Sequence, residues 1–234
     1  MRIKTIQSHL RGLSNPVTAV ALQRYFKTAP GEYGAGDIFL GIKVPVLRAQ
    51  LKTFRATELT IIADLLSSSY HEERLFALML LLDSYQRGNE VEKQQIYELY
   101  LANTVHINNW DLVDSSAPRI VGHYLVNKPR DILYQLSAST SLWERRIAIL
   151  ATFYFVGQKD FSDSFKLAKI LLQDPHDLIH KALGWMLREI GKRDLAEEEK
   201  FLQQHYAHMP RTMLRYAIER FSETRRQSYL RGEV

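Results

Sequence analysis

The sequence predicts an all-α chain, a HEAT-like α-solenoid of stacked antiparallel helix pairs. Three observations carry that prediction. Leu, Ile and Ala recur at three- and four-residue spacing along nearly the whole chain, and β-alternating runs are missing. Prolines and small polar residues stand where helices would begin. Arg74, Arg145 and Lys181 open similar segments, each followed three residues later by a small residue: Ala77, Ala148 and Gly184. The intervals are 71 and 36 residues, and Trp110 falls at the missing midpoint. A two-helix unit of about 36 to 40 residues is a solenoid period, because one hairpin cannot bury its apolar face without a neighbour.

In order, helices are expected over 2–13, 16–27, 45–54, 57–68, 71–87, 90–105, 109–126, 129–138, 141–157, 161–173, 176–191, 194–206 and 210–221. Pro16, Pro45, Pro129 and Pro210 suit first turns. Asn89, Ser141 and Asp194 suit N-caps. Thr28 to Lys43 is the one long connection, and its three glycines suggest a folded surface loop. Pro118 lacks the amide proton a helix interior needs and should bend or break its helix. The basic stretch Arg225 to Arg231 reads as a mobile tail. No composition break divides the chain, so residues 1–234 are expected to form a single repeat domain with a basic concave face.

Composition narrows the function. The chain has 234 residues, 46% hydrophobic and 24% charged, an ordinary globular balance. Without cysteine there is no disulfide framework and no thiol chemistry, which suits a reducing cytoplasm. The longest apolar run, Leu75 to Leu82, is too short to span a bilayer, so no membrane association is expected. Met1 to Thr5 carries charge without an apolar segment behind it, and no secretory signal is read. A net charge of +5 favours a polyanionic partner.

Candidate chemistry centres on Asn108 to Pro118, where Trp110 and Asp114 are one helical turn apart. On the repeat reading, Arg146 and Trp185 begin equivalent helices, with Arg188 one turn past Trp185. Two interpretations stand side by side. The tryptophans are core aromatics with Asp114 paired to Arg146, or the aromatic rings and the carboxylate face something cationic.

Four blocks together resemble the AlkD-type DNA glycosylases: Phe39-Leu40-Gly41-Ile42 with Pro45, Trp110-Asp111-Leu112-Val113-Asp114-Ser115 with Pro118, Leu142-Trp143-Glu144-Arg145-Arg146, and Lys181-Ala182-Leu183-Gly184-Trp185-Met186-Leu187-Arg188-Glu189. The resemblance covers about Leu22 to Arg220. It implies excision of cationic N3- and N7-alkylated purines, such as 3-methyladenine and 7-methylguanine, from double-stranded DNA without base flipping. It assigns catalysis to Asp114, sugar and phosphate packing to Trp110 and Trp185, a backbone phosphate to Arg146, and an edge contact to Tyr25. Asn109 stands where the resemblance leads one to expect a second aromatic. Arg74, Arg145, Lys181 and Arg188 are further candidates for DNA contact. A monomer, cytoplasmic and nucleoid-associated, is expected, with no metal and no cofactor.

The chemistry of the residues agrees with those roles. Breaking the glycosidic bond of a cationic purine leaves positive charge on the sugar, which a fixed carboxylate stabilises. Aromatic faces attract that charge as well. Other motifs are decoys. His176 and His180 have a zinc-helix spacing, but Asp177 is no substitute for the usual glutamate, and no third ligand follows. Gly31, Gly34 and Gly36 precede no Gly-Lys-Ser/Thr and follow no strand. A non-catalytic binder of distorted DNA and a protein-interaction scaffold remain the rival functions.

Overall fold

The computed structural model describes residues 2–234, and all regular structure among them is helical. It is an α-solenoid-like helical repeat. The chain groups into two compact units, Met1–Ser116 and Ala117–Val234.

The first unit contains α1 (Ile3–Gly12), α2 (Pro16–Tyr25), α3 (Val44–Phe54), α4 (Leu59–Leu66), α5 (His71–Arg87), α6 (Glu90–Ala102) and α7 (Trp110–Ala117). Helix α5 is its axis, with α3, α4 and α6 packed against it. Leu75, Phe76, Ala77, Leu78, Leu80 and Leu81 are buried all round it, as a central helix requires. Asn89 caps α6 with a complete capping box to Glu92.

In the 28–43 segment the first part, 28–36, is a folded and mostly exposed loop as expected, but the second corrects the surface-loop expectation, since Asp37, Phe39, Leu40 and Ile42 are buried. The carboxylate of buried Glu72 draws the loop inward. It accepts the backbone N–H groups of Leu40, Gly41 and Ile42 at 2.8, 2.7 and 3.1 Å. Gly41 has φ 81°, and any Cβ there would collide with the Asn15 carbonyl.

The second unit contains α8 (Asp131–Ser137), α9 (Leu142–Gly157), α10 (Ser162–Ile170), α11 (Asp177–Gly191), α12 (Leu195–His205), α13 (Arg211–Ala217) and α14 (Glu223–Arg231). Helices α9, α11 and α13 pack in one row, while α8 and α10 cover α9 and α12 covers α11. Ser141 caps α9 through the Glu144 N–H, and Asp194 caps α12 through the Glu197 N–H. Close approach within the row rests on glycine. A side chain at Gly122 would strike the Ala151 carbonyl and Tyr154, and one at Gly184 would strike the Met213 carbonyl and Tyr216. The trio 122, 151 and 154 thus recurs at 184, 213 and 216.

Pro118 breaks the α-helix as expected: α7 ends at Ala117 and a π-helical turn, Pro118–Gly122, follows. One expectation changes here, since the C-terminal stretch is not a tail. It forms α14, capped by Ser222 at its start and by Gly232 at φ 77° at its end, with Tyr229 buried.

Candidate functional site

Helix α7 is anchored at its first turn. Asn109, fully buried, accepts the Trp110 N–H on its side-chain oxygen at 2.8 Å. Its amide nitrogen donates to Asp37 Oδ2 at 3.2 Å. A second aromatic at this buried position would make neither bond, so the departure from the expected pattern has a structural cause.

Asp37 is the hub of a buried ionic chain. Arg74 Nη2 donates to Asp37 Oδ1 at 2.6 Å, and His71 Nδ1 lies 3.2 Å from Asp37 Oδ2. The other ring nitrogen of His71 reaches Asp111 Oδ2 at 2.8 Å. Burial by itself lowers the affinity of His71 for its proton. The hydrogen bond and charge of Asp111, joined by Asp37, outweigh burial and raise its pKa to about 9. Asp37 moves the other way: burial pushes it up, but His71, Arg74 and Asn109 together hold it below the usual carboxylate range.

An aromatic cluster stands on this chain, with Phe26, Phe39 and His71 in mutual contact and Phe26 lying 5.1 Å from His71 between ring centres. Phe39 stacks on His71 with ring centres 4.5 Å apart, Phe26 stacks on Phe39 at 5.1 Å, and Trp110 stacks on Phe26 at 5.2 Å. Tyr25, 64% exposed, presents its edge to Trp110 at 6.0 Å. Trp110 is of intermediate burial, so the cluster leaves it partly open to solvent on a packed base. Asp114, one turn along the same helix face, is half-buried as well. Its charge is felt at the Tyr100 hydroxyl. Burial pushes that hydroxyl up, a Ser116 hydrogen bond opposes the rise, and Asp114 adds to it. The two carboxylates of α7 therefore play different parts. Asp111 is tied to His71, and Asp114 lies on the Trp110 face.

In the second unit, Trp185 is half-buried against Phe153, ring centres 5.7 Å apart, and donates Nε1 to Glu189 Oε1 at 3.3 Å. Glu189 is held ionised against its burial by Lys192 at 2.5 Å and Arg193 at 3.0 Å.

The candidate cations are largely committed elsewhere, which corrects several expectations. Arg74 is 3% exposed and donates to the Ser68 carbonyl at 3.0 Å as well as to Asp37, so it cannot reach a DNA phosphate. Arg145, at the same position of α9, donates to the Ser139 carbonyl at 3.0 Å and to Asp174 at 2.7 Å. Both arginines brace the turn before their helix, and that is what their repeat spacing reports. Arg146 is 5% exposed and donates to the Leu178 carbonyl at 2.5 Å. Arg188 pairs with Glu219, and Lys181 pairs with Asp177 at 2.7 Å.

The histidine decoy has local uses. His176 Nδ1 accepts the Leu178 N–H at 3.1 Å, capping α11, and His180 lies 2.5 Å from the Asp174 carbonyl. Among the described residues no group of three His, Cys, Asp or Glu is arranged to hold a metal ion. Phe26, Asp37 and His71 do not stand out in the sequence, and Phe39 and Asp111 enter only within the resemblance blocks. The polar run His71-Glu72-Glu73-Arg74, standing directly before the longest apolar run of the chain, is the one signal it offers for His71.

The family model for DNA alkylation repair enzymes matches residues 6–221. The chain belongs to that family. Among solved structures, a predicted DNA alkylation repair enzyme from Enterococcus faecalis superposes with a TM-score of 0.72 at 18% identity, covering 90% of this chain and 97% of that one. That likeness establishes the shared fold. No curated protein matches significantly. Family membership places this enzyme in the repair of alkylated DNA. No helix among the described residues is long and apolar enough to cross a membrane.

Proposed function

We propose that this enzyme is a monomeric, single-domain DNA glycosylase that hydrolyses the N-glycosidic bond of cationic N3- and N7-alkylpurines in duplex DNA, without base flipping. The observation that carries the proposal is the pairing on α7 of a partly exposed carboxylate, Asp114, with a partly exposed tryptophan fixed from behind. An alkylpurine that already carries positive charge is a good leaving group. As the bond breaks, the base departs with the electron pair and C1′ gains positive charge. Asp114 stabilises that charge and orients the water that adds to C1′. Trp110 offers its face to the cationic sugar and excludes competing solvent, with Tyr25 at the rim.

The resemblance to AlkD-type glycosylases adds Trp185 as a further sugar-phosphate contact. Arg146 acts by fixing the first turn of α11 through Leu178, a positioning role in place of the phosphate contact expected from sequence. Release of free 7-methylguanine and 3-methyladenine from methylated duplex DNA is the test. Wild type should release both, and Asp114→Asn should lose release while still binding DNA. Binding without release by either protein would make this a non-catalytic DNA binder instead.

A further inference from the structure

The second unit ends in a cleft of about 430 Å³ between α13 and α14. Arg211, Arg215, Arg226 and Arg231 line it over a floor that includes Ile218 and Leu230. Residues 211–231 hold six arginines, no lysine and two acidic residues. A terminal repeat needs a polar outer face, but mixed charge would serve that need. Four guanidinium groups around one cleft repel each other unless an anion joins them.

Their bonding points the same way. Arg211 Nη1 donates to the Leu230 carbonyl at 2.7 Å, bracing α13 to the end of α14. Arg215 and Arg231, both exposed, make no hydrogen bond or ion pair with the described residues. Arg226 Nε is buried with no hydrogen-bond partner among them. The nearest carboxylate, Glu223, lies 3.6 Å away, and it accepts a hydrogen bond from Gln227 at 2.7 Å. The cleft therefore holds planar, donor-rich groups with little acidic counter-charge.

We propose that this cleft binds backbone phosphates of double-stranded DNA, through residues none of which belongs to the α7 site. Guanidinium forks match phosphate oxygens in pairs, a geometry lysine does not offer. Arg211 and Arg215, at i and i+4, can serve successive phosphates along one helix face. The apolar floor suits the hydrocarbon edge of deoxyribose. The proposal rests on DNA as the partner, not on base excision.

The test measures binding of an undamaged duplex of roughly two helical turns by fluorescence anisotropy across a salt series. The variant is Arg215→Gln/Arg231→Gln, which removes no internal contact. Each lost phosphate contact should flatten the slope of log K against log salt by about 0.9, so the double variant should lose about 1.8. An unchanged slope and affinity, with helicity intact by circular dichroism, overturns the proposal. Nitrogen-15 NMR of the Arg226 Nε–Hε group gives an independent readout, expected to shift on adding the duplex. A shift with inorganic phosphate but none with duplex would mark a small-anion site and also overturn it. Because the duplex carries no lesion, loss of the glycosylase reading leaves this result unaffected.

Discussion

The two candidate tryptophans, one in each unit, are held by different physics. Trp110 rests on a ring cluster of Phe26, Phe39 and His71, and His71 belongs to a chain of charges with Asp111, Asp37 and Arg74. Trp185 is held by one ring and one hydrogen bond to a carboxylate that partly exposed cations neutralise. Buried charge is costly unless every partner is present, and it then tolerates little movement. Partly exposed ion pairs contribute less and yield more easily. The difference teaches where rigidity is concentrated: beneath the helix that carries Asp114.

The sharpest way to break this contrast is Asp37→Ala. It strands Arg74, His71 and Asn109 in the interior and should cost about 3–5 kcal/mol in urea denaturation. Proton removal from His71 comes next. Its folded pKa of about 9 lies above its unfolded value, so its contribution is complete below pH 6.5 and is lost as pH rises through 9. That shift corresponds to roughly 3 kcal/mol across the window. Urea midpoints at the two pH values measure it, and Asp111→Asn should abolish most of the change.

Glu198 in the second unit shares the sign. Burial, helped by Glu199, raises it to about 8, so its neutral form is favoured and stability falls as pH rises through that value. A Glu198→Gln background isolates the His71 effect.

Within the second unit the larger loss should come from packing. Gly184→Ala forces apart α11 and α13 at the Met213 carbonyl, with an expected cost of about 1–3 kcal/mol by thermal denaturation. The smallest effect belongs to Lys181→Ala, which removes an exposed i,i+4 pair with Asp177 and should change stability by about 0.5 kcal/mol or less. A Lys181 effect as large as that of Asp37 would erase the distinction between the two neighbourhoods.

Much of this is legible in the chain. Helices follow from three- and four-residue periodicity, and Asn89, Ser141 and Asp194 cap where their local chemistry says they should. Trp110 and Asp114 share a face because helix geometry alone dictates it. The buried charges are not legible, since the partners of His71 lie 34 and 40 residues away and a charged run reads as a solvated face. Phe26 and Phe39 look like ordinary core, and only their contacts with each other, His71 and Trp110 show that they support the tryptophan. Arg74 and Arg145 advertise a repeat, but the repeat is one of turn bracing. Helix α14 stays hidden because its single buried anchor, Tyr229, sits among charges.

The most direct measurement sets the two α7 carboxylates against each other, by single-turnover release of 7-methylguanine from a duplex together with the melting temperature. Asp114→Asn should lower the release rate by about 100-fold or more with helicity intact by circular dichroism. Asp111→Asn should lower the melting temperature while retaining most of the release rate. Full activity in Asp114→Asn, with its fold intact, would contradict the account at its centre.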